Sequence, residues 1–88
     1  MEEAVKVSIE YCVPCGYTDR AFSQAQELLQ KYVSHIEELT LIPSGNGLYE
    51  VIVDEELVFS KKELERFPAE GEIAELFEEQ TKARPETT

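Results

Sequence analysis

The fold is decided by one stretch near the N-terminus, Val5-Lys6-Val7-Ser8-Ile9-Glu10-Tyr11-Cys12-Val13-Pro14-Cys15-Gly16. Apolar and polar residues alternate over its first seven positions, and this pattern predicts a strand with one buried face. Two cysteines separated by two residues follow the strand directly. The strand is therefore expected to carry a C-x-x-C motif at its carboxyl end.

A helix is predicted after the motif, from about Thr18 to Val33. Its apolar residues recur at three- and four-residue steps and form one stripe, made of Ala21, Phe22, Ala25, Leu28, Leu29, Tyr32 and Val33. Pro14 suits an early helical position, because the N–H that proline lacks is not needed there. An alternative start of the helix therefore lies inside the cysteine motif.

Three further strands and a second helix are predicted in the remaining sequence. The strands cover 36–42, 48–53 and 57–59, and the helix covers 70–82. Turn-forming residues at 43–47 and a tight two-residue turn at 54–55 separate the strands.

The order of these elements predicts the architecture. A helix lies between the first two strands, so these strands should pair in parallel through a right-handed crossover. The third and fourth strands should form an antiparallel hairpin, and Ser60-Lys61-Lys62-Glu63 resembles a capping box that would start a short helical turn. The predicted fold class is α/β, in the order βα-βββα, with a four-stranded mixed sheet and helices.

Length and charge limit the function classes. The 88 residues suit one domain, predicted over 1–83 with a frayed tail at 84–88. A net charge of −11 would repel phosphate backbones and anionic lipids, so neither nucleic acid nor a membrane is expected as a partner. The sequence shows no secretory signal and no run of roughly 20 apolar residues. A cytoplasmic location is therefore expected, where thiols are kept reduced.

The only cysteines of the chain are Cys12 and Cys15. Their spacing, their position between a strand and a helix and the βαβ context predict thiol–disulfide exchange. In this chemistry one thiolate attacks a substrate disulfide, and a nearby thiol resolves the mixed disulfide. The N–H groups at a helix N-terminus would stabilise the thiolate. The expected partner is a protein or a glutathione-type thiol or disulfide, and no metal or organic cofactor is needed.

Other interpretations of the pair stay open. The cysteines could be buried packing residues or a structural disulfide, although closing so short a loop gains little chain entropy. They could form half of a zinc site, which would need carboxylates or ligands from a second molecule because His35 is the only histidine. They could also belong to a redox-sensing interaction module, in which oxidation switches a surface around Phe67 for a partner.

The roles within the motif also stay open. The strand-to-helix position favours Cys12 as the attacking residue at an exposed helix entrance, with Cys15 as the more buried resolving thiol. Tyr11, Pro14 and Tyr17 flank the two cysteines and are the candidate substrate-binding residues.

Five blocks of sequence, covering about residues 4–78, carry a resemblance to a known family. They are the stretch 7–17, Arg20-Ala21, Gly47-Leu48-Tyr49-Glu50-Val51, Val58-Phe59-Ser60-Lys61 and Arg66-Phe67-Pro68. In this order they resemble the selenoprotein W-like (Rdx) family, here a cysteine-containing member. The resemblance implies a thioredoxin-like fold and a part in cell redox homeostasis. It also implies that Cys15 holds the more reactive atom, because selenocysteine-containing relatives carry selenium in that slot.

Overall fold

The computed structural model describes residues 4–84. Of the predicted tail at 84–88, only Arg84 belongs to this part, and the rest lies outside the described residues. In chain order the elements are strand β1 (Val5–Cys12), helix α1 (Thr18–Tyr32) with a 3-10 turn (Val33–His35), strands β2 (Ile36–Ser44), β3 (Tyr49–Val53) and β4 (Glu56–Ser60), and helices α2 (Lys61–Leu64) and α3 (Glu72–Thr81).

The four strands form one mixed sheet in the order β2-β1-β3-β4. Strands β1 and β2 are parallel, while β1 with β3 and β3 with β4 are antiparallel. The predicted fold class, parallel crossover and hairpin are thus confirmed. In this register Cys12 lies beside Ser44, Tyr11 beside Tyr49 and Glu50 beside Ser60. The carboxyl ends of β1, β2 and β4 therefore meet at one edge of the sheet, together with the start of β3.

The core lies between one face of the sheet and the helices α1 and α3. Strand β1 contributes Val7 and Ile9, which are 2% and 0% exposed. The other buried members come from β3, β4, α1 and α3, and they include Val51, Val53, Phe59, Ala21, Ala25, Leu28, Tyr32, Ile73 and Phe77. Each of the larger apolar side chains contributes about 1.5–3 kcal/mol when it is removed from water. This core holds the carboxyl end of β1, and with it the first cysteine, in place.

The apolar stripe of α1 is only partly buried. Phe22, Leu29 and Val33 were predicted within the buried stripe, but they are 56%, 39% and 55% exposed. At 3.6 residues per turn these three lie roughly 90° around the helix from the buried residues. The sheet covers one sector of the helix, so the predicted stripe was wider than the surface available to cover it.

Several predicted boundaries shift by a few residues. Strand β2 runs on through Pro43 to Ser44, which the sequence placed in a turn; proline is tolerated because β2 is an edge strand. Helix α3 begins at Glu72 rather than at residue 70, because Gly71 at φ +80° has a non-helical backbone.

The predicted hairpin turn at 54–55 and the predicted cap of α2 are confirmed. Asp54 and Glu55 join β3 to β4 with φ values of 53° and 69°, as in a type I′ hairpin turn. The hydroxyl of Ser60 accepts a hydrogen bond from the Glu63 N–H at 3.3 Å and caps α2. Within residues 4–84, no helix is long and apolar enough to cross a membrane.

Candidate active site

Cys12 and Cys15 are joined in a disulfide, with their Cα atoms 5.3 Å apart. The bond lies at the edge of the sheet where β1 ends. The pair is therefore close enough to cycle between dithiol and disulfide without a large movement of the backbone.

The loop that contains the disulfide is closed by two internal hydrogen bonds. The Tyr17 N–H donates to the Cys12 carbonyl at 3.2 Å, and the Gly16 N–H donates to the Val13 carbonyl at 2.9 Å. These two bonds together define a Schellman motif, which needs a residue in the left-handed region. Gly16 supplies it with φ +83°. The loop conformation thus follows from the local sequence and brings the cysteines together.

Two further hydrogen bonds fix this loop to the sheet. The Cys12 N–H donates to the Leu48 carbonyl at 2.8 Å, and the Val13 N–H donates to the Ser44 carbonyl at 2.9 Å. The first half of the motif is therefore attached to the ends of β2 and β3. The second half projects from the sheet.

The two cysteines differ sharply in exposure. Cys12 is 0% exposed, whereas Cys15 is exposed. The expectation of an exposed Cys12 and a more buried Cys15 was wrong. It placed Cys12 at the helix entrance, but Cys12 still belongs to β1, and the turn that follows carries Cys15 out into solvent.

Helix α1 begins after the motif rather than within it. Its first residue is Thr18, and Pro14 lies in the preceding turn. The expectation that Pro14 opens the helix was wrong, because the left-handed Gly16 interrupts any helical path from Pro14 to Thr18. No side chain caps this helix at Tyr17. The first-turn N–H groups point towards the N-terminal end of the helix, which follows the loop.

The three candidate substrate-binding residues occupy different environments. Tyr11 is 7% exposed and belongs to the core. Pro14 is exposed in the loop and Tyr17 is half-buried beside it. The structure brings Pro14 and Tyr17 to the surface next to Cys15, while contact of any of the three with a substrate stays a prediction.

An aromatic–cation cluster, composed of Tyr17, Tyr49, Phe67, Arg20 and Lys61, adjoins the loop. The three rings meet edge to face, with centroids 4.9 Å apart for Tyr17 and Phe67, 5.8 Å for Tyr49 and Phe67, and 6.5 Å for Tyr17 and Tyr49. The guanidinium carbon of Arg20 lies 3.8 Å from the Phe67 ring centroid. The Lys61 Nζ lies 5.3 Å from the centroid of Phe67 and 5.7 Å from that of Tyr17. Such contacts stabilise cations by interaction with the ring faces.

Tyr49 is the fully buried ring of this cluster. It is 0% exposed, and its hydroxyl donates to the Arg20 carbonyl at 3.4 Å. Burial raises the pKa of Tyr49 to about 12, while the nearby Arg20 charge opposes that rise. Tyr49 therefore stays neutral at physiological pH.

The sequence did not assign this cluster. Tyr17 was expected to contact substrate and Phe67 to lie in the core or on a partner surface, but the sequence did not predict that they meet. Lys61 and Tyr49 were given no role at the site. The only sequence signal for their meeting was that all of them lie in the blocks that carry the family resemblance. Phe59, which lies in the same blocks, is 2% exposed and is a core residue.

Metal ligands are sparse around the motif. Among residues 4–84, no three His, Cys, Asp or Glu side chains come together as a possible metal site. The described part of a single chain therefore does not bring three such zinc ligands together.

The sequence profile of the Rdx family matches residues 6–79, nearly the whole chain. The protein belongs to the Rdx family. Two relatives, both named migration and invasion enhancer 1, come from Bos taurus and Mus musculus. Each is 31% identical over 81 residues, which cover 92% of this chain and 69% of the relative.

Solved structures show the same fold as this Rdx protein. A crystal structure of a selenoprotein W-related protein from Vibrio cholerae has a TM-score of 0.85 at 23% identity and covers 90% of this chain and 99% of its own. A crystal structure of a Bordetella parapertussis protein has a TM-score of 0.76 at 22% identity, covering 91% and 96%. The predicted family is confirmed. Membership of the Rdx family together with the Cys12–Cys15 pair indicates a thioredoxin-like redox role.

Proposed function

We propose that this protein is a thiol–disulfide oxidoreductase in which Cys15 attacks and Cys12 resolves. The observation that supports this order is the exposure of Cys15 beside a fully buried Cys12. An incoming thiolate can reach only the exposed sulfur of the oxidised pair. By microscopic reversibility, the same sulfur is the one that attacks a substrate disulfide.

The reaction moves two electrons from the protein dithiol to the substrate disulfide. The Cys15 thiolate attacks one substrate sulfur, the substrate S–S bond breaks, and one substrate thiolate leaves. Cys12 then loses its proton to solvent and attacks the Cys15 sulfur, which releases the second substrate thiolate and forms the Cys12–Cys15 disulfide. A thiol reductant of the glutathione or protein dithiol class reverses both steps and restores the dithiol.

The surroundings of Cys15 support this assignment. The uncapped start of α1 presents N–H dipoles to the region of the loop, and helix N-termini stabilise thiolates. Pro14 and Tyr17 are the residues that we expect to contact a protein or glutathione-type partner. The proposal places the protein in the cytoplasm, where reductants would regenerate the dithiol, as part of redox homeostasis.

Single cysteine variants test the order of attack. We expect reduced Cys12→Ser to accumulate a stable mixed disulfide with glutathione disulfide, because no resolving thiol remains. Reduced Cys15→Ser should form this adduct at least about tenfold more slowly, since Cys12 is buried and reaction follows access of the thiol. Wild type should end as the intramolecular disulfide with two glutathione thiols released, and intact mass after acid quenching reports all three species.

Two results would contradict the proposal. Equal adduct rates in the two variants, with both shown to be folded by circular dichroism, would remove the assigned order. Absence of any adduct, together with a partner affinity that changes with oxidation, would favour the redox-sensing module instead.

A further inference from the structure

We infer that Arg20 and Lys61 make the site selective for disulfides that carry carboxylates next to their sulfur atoms. The inference rests on the proposed function and names the substrate class of the same site. It assigns the two cations a role in docking the substrate.

The first support is position. Tyr17 is two residues from Cys15 in the sequence and contacts Phe67. Arg20 stacks on Phe67, and Lys61 lies near both rings. The two positive charges are therefore held beside the loop that carries the exposed cysteine, by an aromatic surface that limits their movement.

The second support is that both charges are available. Within residues 4–84, Lys31 pairs with Glu27 and Arg66 pairs with Glu72. No carboxylate in this described region lies within 4 Å of Arg20 or Lys61, although Asp19 is the adjacent residue in sequence. The cations face ring surfaces, which leave their N–H donors free for an incoming anion.

The third support is the contrast with the rest of the molecule. The chain carries 19 acidic and 8 basic residues. Two cations without a carboxylate partner in residues 4–84, held on rings that adjoin the cysteine loop, are a local exception in this negatively charged molecule. Arg20 also borders a depression of about 330 Å³ whose wall includes Glu27 and Glu70. The net charge alone would attract cationic substrates, whereas the cluster would attract anionic ones. The two effects therefore predict opposite charge preferences of the site.

The test uses two aromatic disulfides with similar leaving groups. One is 5,5′-dithiobis(2-nitrobenzoate), which carries a carboxylate on each half, and the other is the neutral 2,2′-dithiobis(5-nitropyridine). Each reacts with the reduced protein by the exchange described above; the first releases a coloured thiolate, and the second releases a thiolate that is protonated to a coloured thione. The measured quantity is the ratio of the two second-order rate constants, anionic over neutral, by stopped-flow absorbance.

Three variants separate a local from a general charge effect. We expect Arg20→Gln combined with Lys61→Gln to lower the rate ratio about tenfold, as expected when two nearby charges cease to attract the reagent. Lys62→Gln removes one charge from the same short helix but lies outside the cluster, and it should change the ratio less than about twofold. Arg20→Lys keeps the charge and should keep most of the ratio, whereas a purely structural role of Arg20 would not be rescued in this way.

The salt dependence gives a second readout that needs no variant. Attraction by the cluster predicts that the wild-type ratio falls as sodium chloride is raised, because salt screens exposed charges. A ratio that rises with salt would overturn the inference, and so would a ratio that is unchanged in the double variant or equally lowered in Lys62→Gln. If Cys12→Ser and Cys15→Ser react with the neutral reagent at equal rates, the assigned order of attack fails instead, and the ratio of the rate constants still tests the cluster.

A peptide pair identifies the source of the carboxylates. Two cystine-bridged peptides, one with glutamates and one with lysines beside the cysteine, replace the aromatic reagents. Faster reaction with the glutamate peptide extends the selectivity to acidic protein segments. Faster reaction with the lysine peptide would overturn the inference for protein substrates.

Discussion

Cys12 and Cys15 differ in exposure because they sit on opposite halves of one tight turn. Cys12 ends a central strand, and its backbone N–H donates a hydrogen bond to the Leu48 carbonyl. Cys15 follows Pro14 into the turn that Gly16 closes. The difference in exposure that would distinguish the attacking from the resolving thiol thus follows from where each residue lies on the backbone, one in a strand and the other in a turn.

Replacing Gly16 by alanine tests the importance of its left-handed conformation. An added Cβ meets nothing within 4 Å, so the φ of +83° is the only penalty. We expect Gly16→Ala to lower the free energy of unfolding of the oxidised protein by about 1–2 kcal/mol. Urea unfolding measures this change.

Gly45→Ala is the matched control, since Gly45 also has open space and no positive φ, and it should change stability by less than about 0.5 kcal/mol. Equal losses in the two variants would contradict the assignment.

At the scale of elements, the carboxylate of Glu72 accepts the hydrogen bonds that hold the start of α3 in place. The Arg66 guanidinium donates to both oxygens of Glu72 at 2.7 and 2.9 Å, and the Ala69 N–H donates to the same carboxylate at 2.8 Å. These bonds connect the helix to the segment that carries Phe67. The aromatic ring on which Arg20 stacks is therefore positioned in part by the N-terminus of α3.

The pH dependence of stability should report this carboxylate. Hydrogen bonds from Arg66 and then from the Ala69 N–H lower the pKa of Glu72 from 4.5 to about 2, against a smaller opposing effect of burial. Because the folded-state pKa is the lower one, the stabilisation is complete above about pH 4.5 and is lost as the pH falls towards 2.

We therefore expect Glu72→Gln to flatten the pH dependence of the free energy of unfolding within this window. Urea unfolding at several pH values measures it. Glu79→Gln, an exposed substitution on the same helix, should leave the slope as in wild type. An unchanged slope in Glu72→Gln would show that the pair does not stabilise the fold.

At the scale of the whole molecule, one layer of helices packs on one face of the sheet. The two main helices are tied together, since the Tyr32 hydroxyl of α1 donates to the Glu78 carboxylate and the Ala74 carbonyl of α3. The net charge of −11 acts across this compact body. Repulsion among like charges opposes compaction, and salt reduces it.

Stability should consequently rise with ionic strength. We expect Tm to increase by about 5 °C between 20 mM and 500 mM sodium chloride, which corresponds to roughly 1 kcal/mol for a domain of this size. Calorimetry measures the change. A variant with Glu37→Gln and Glu56→Gln, two exposed positions, should start from a higher Tm at low salt and gain less. A Tm that falls with salt would show that local ion pairs outweigh the repulsion.

Much of the fold could be predicted from local sequence because its signals are local. Alternation fixed β1, the Asp54–Glu55 pair fixed a hairpin turn, and Ser60 with Glu63 fixed the cap of α2. The parallel pairing of β1 with β2 followed from the helix that lies between them, whereas the strand order β2-β1-β3-β4 was not predicted. The ends of elements could not be predicted as well. Strand β2 continues through Pro43 because it is an edge strand, and α3 begins only after Gly71 because that residue has a left-handed backbone.

By itself the sequence determined the α/β class, the family and the C-x-x-C pair Cys12 and Cys15. Only the tertiary structure decided which cysteine is exposed, which flank of α1 is covered, and that Arg20, Lys61 and Phe67 meet beside the motif. The physical reason is range. Strand, turn and cap preferences act over a few neighbouring residues, whereas exposure and the meeting of residues 20, 61 and 67 depend on how the strand ends converge at one edge of the sheet.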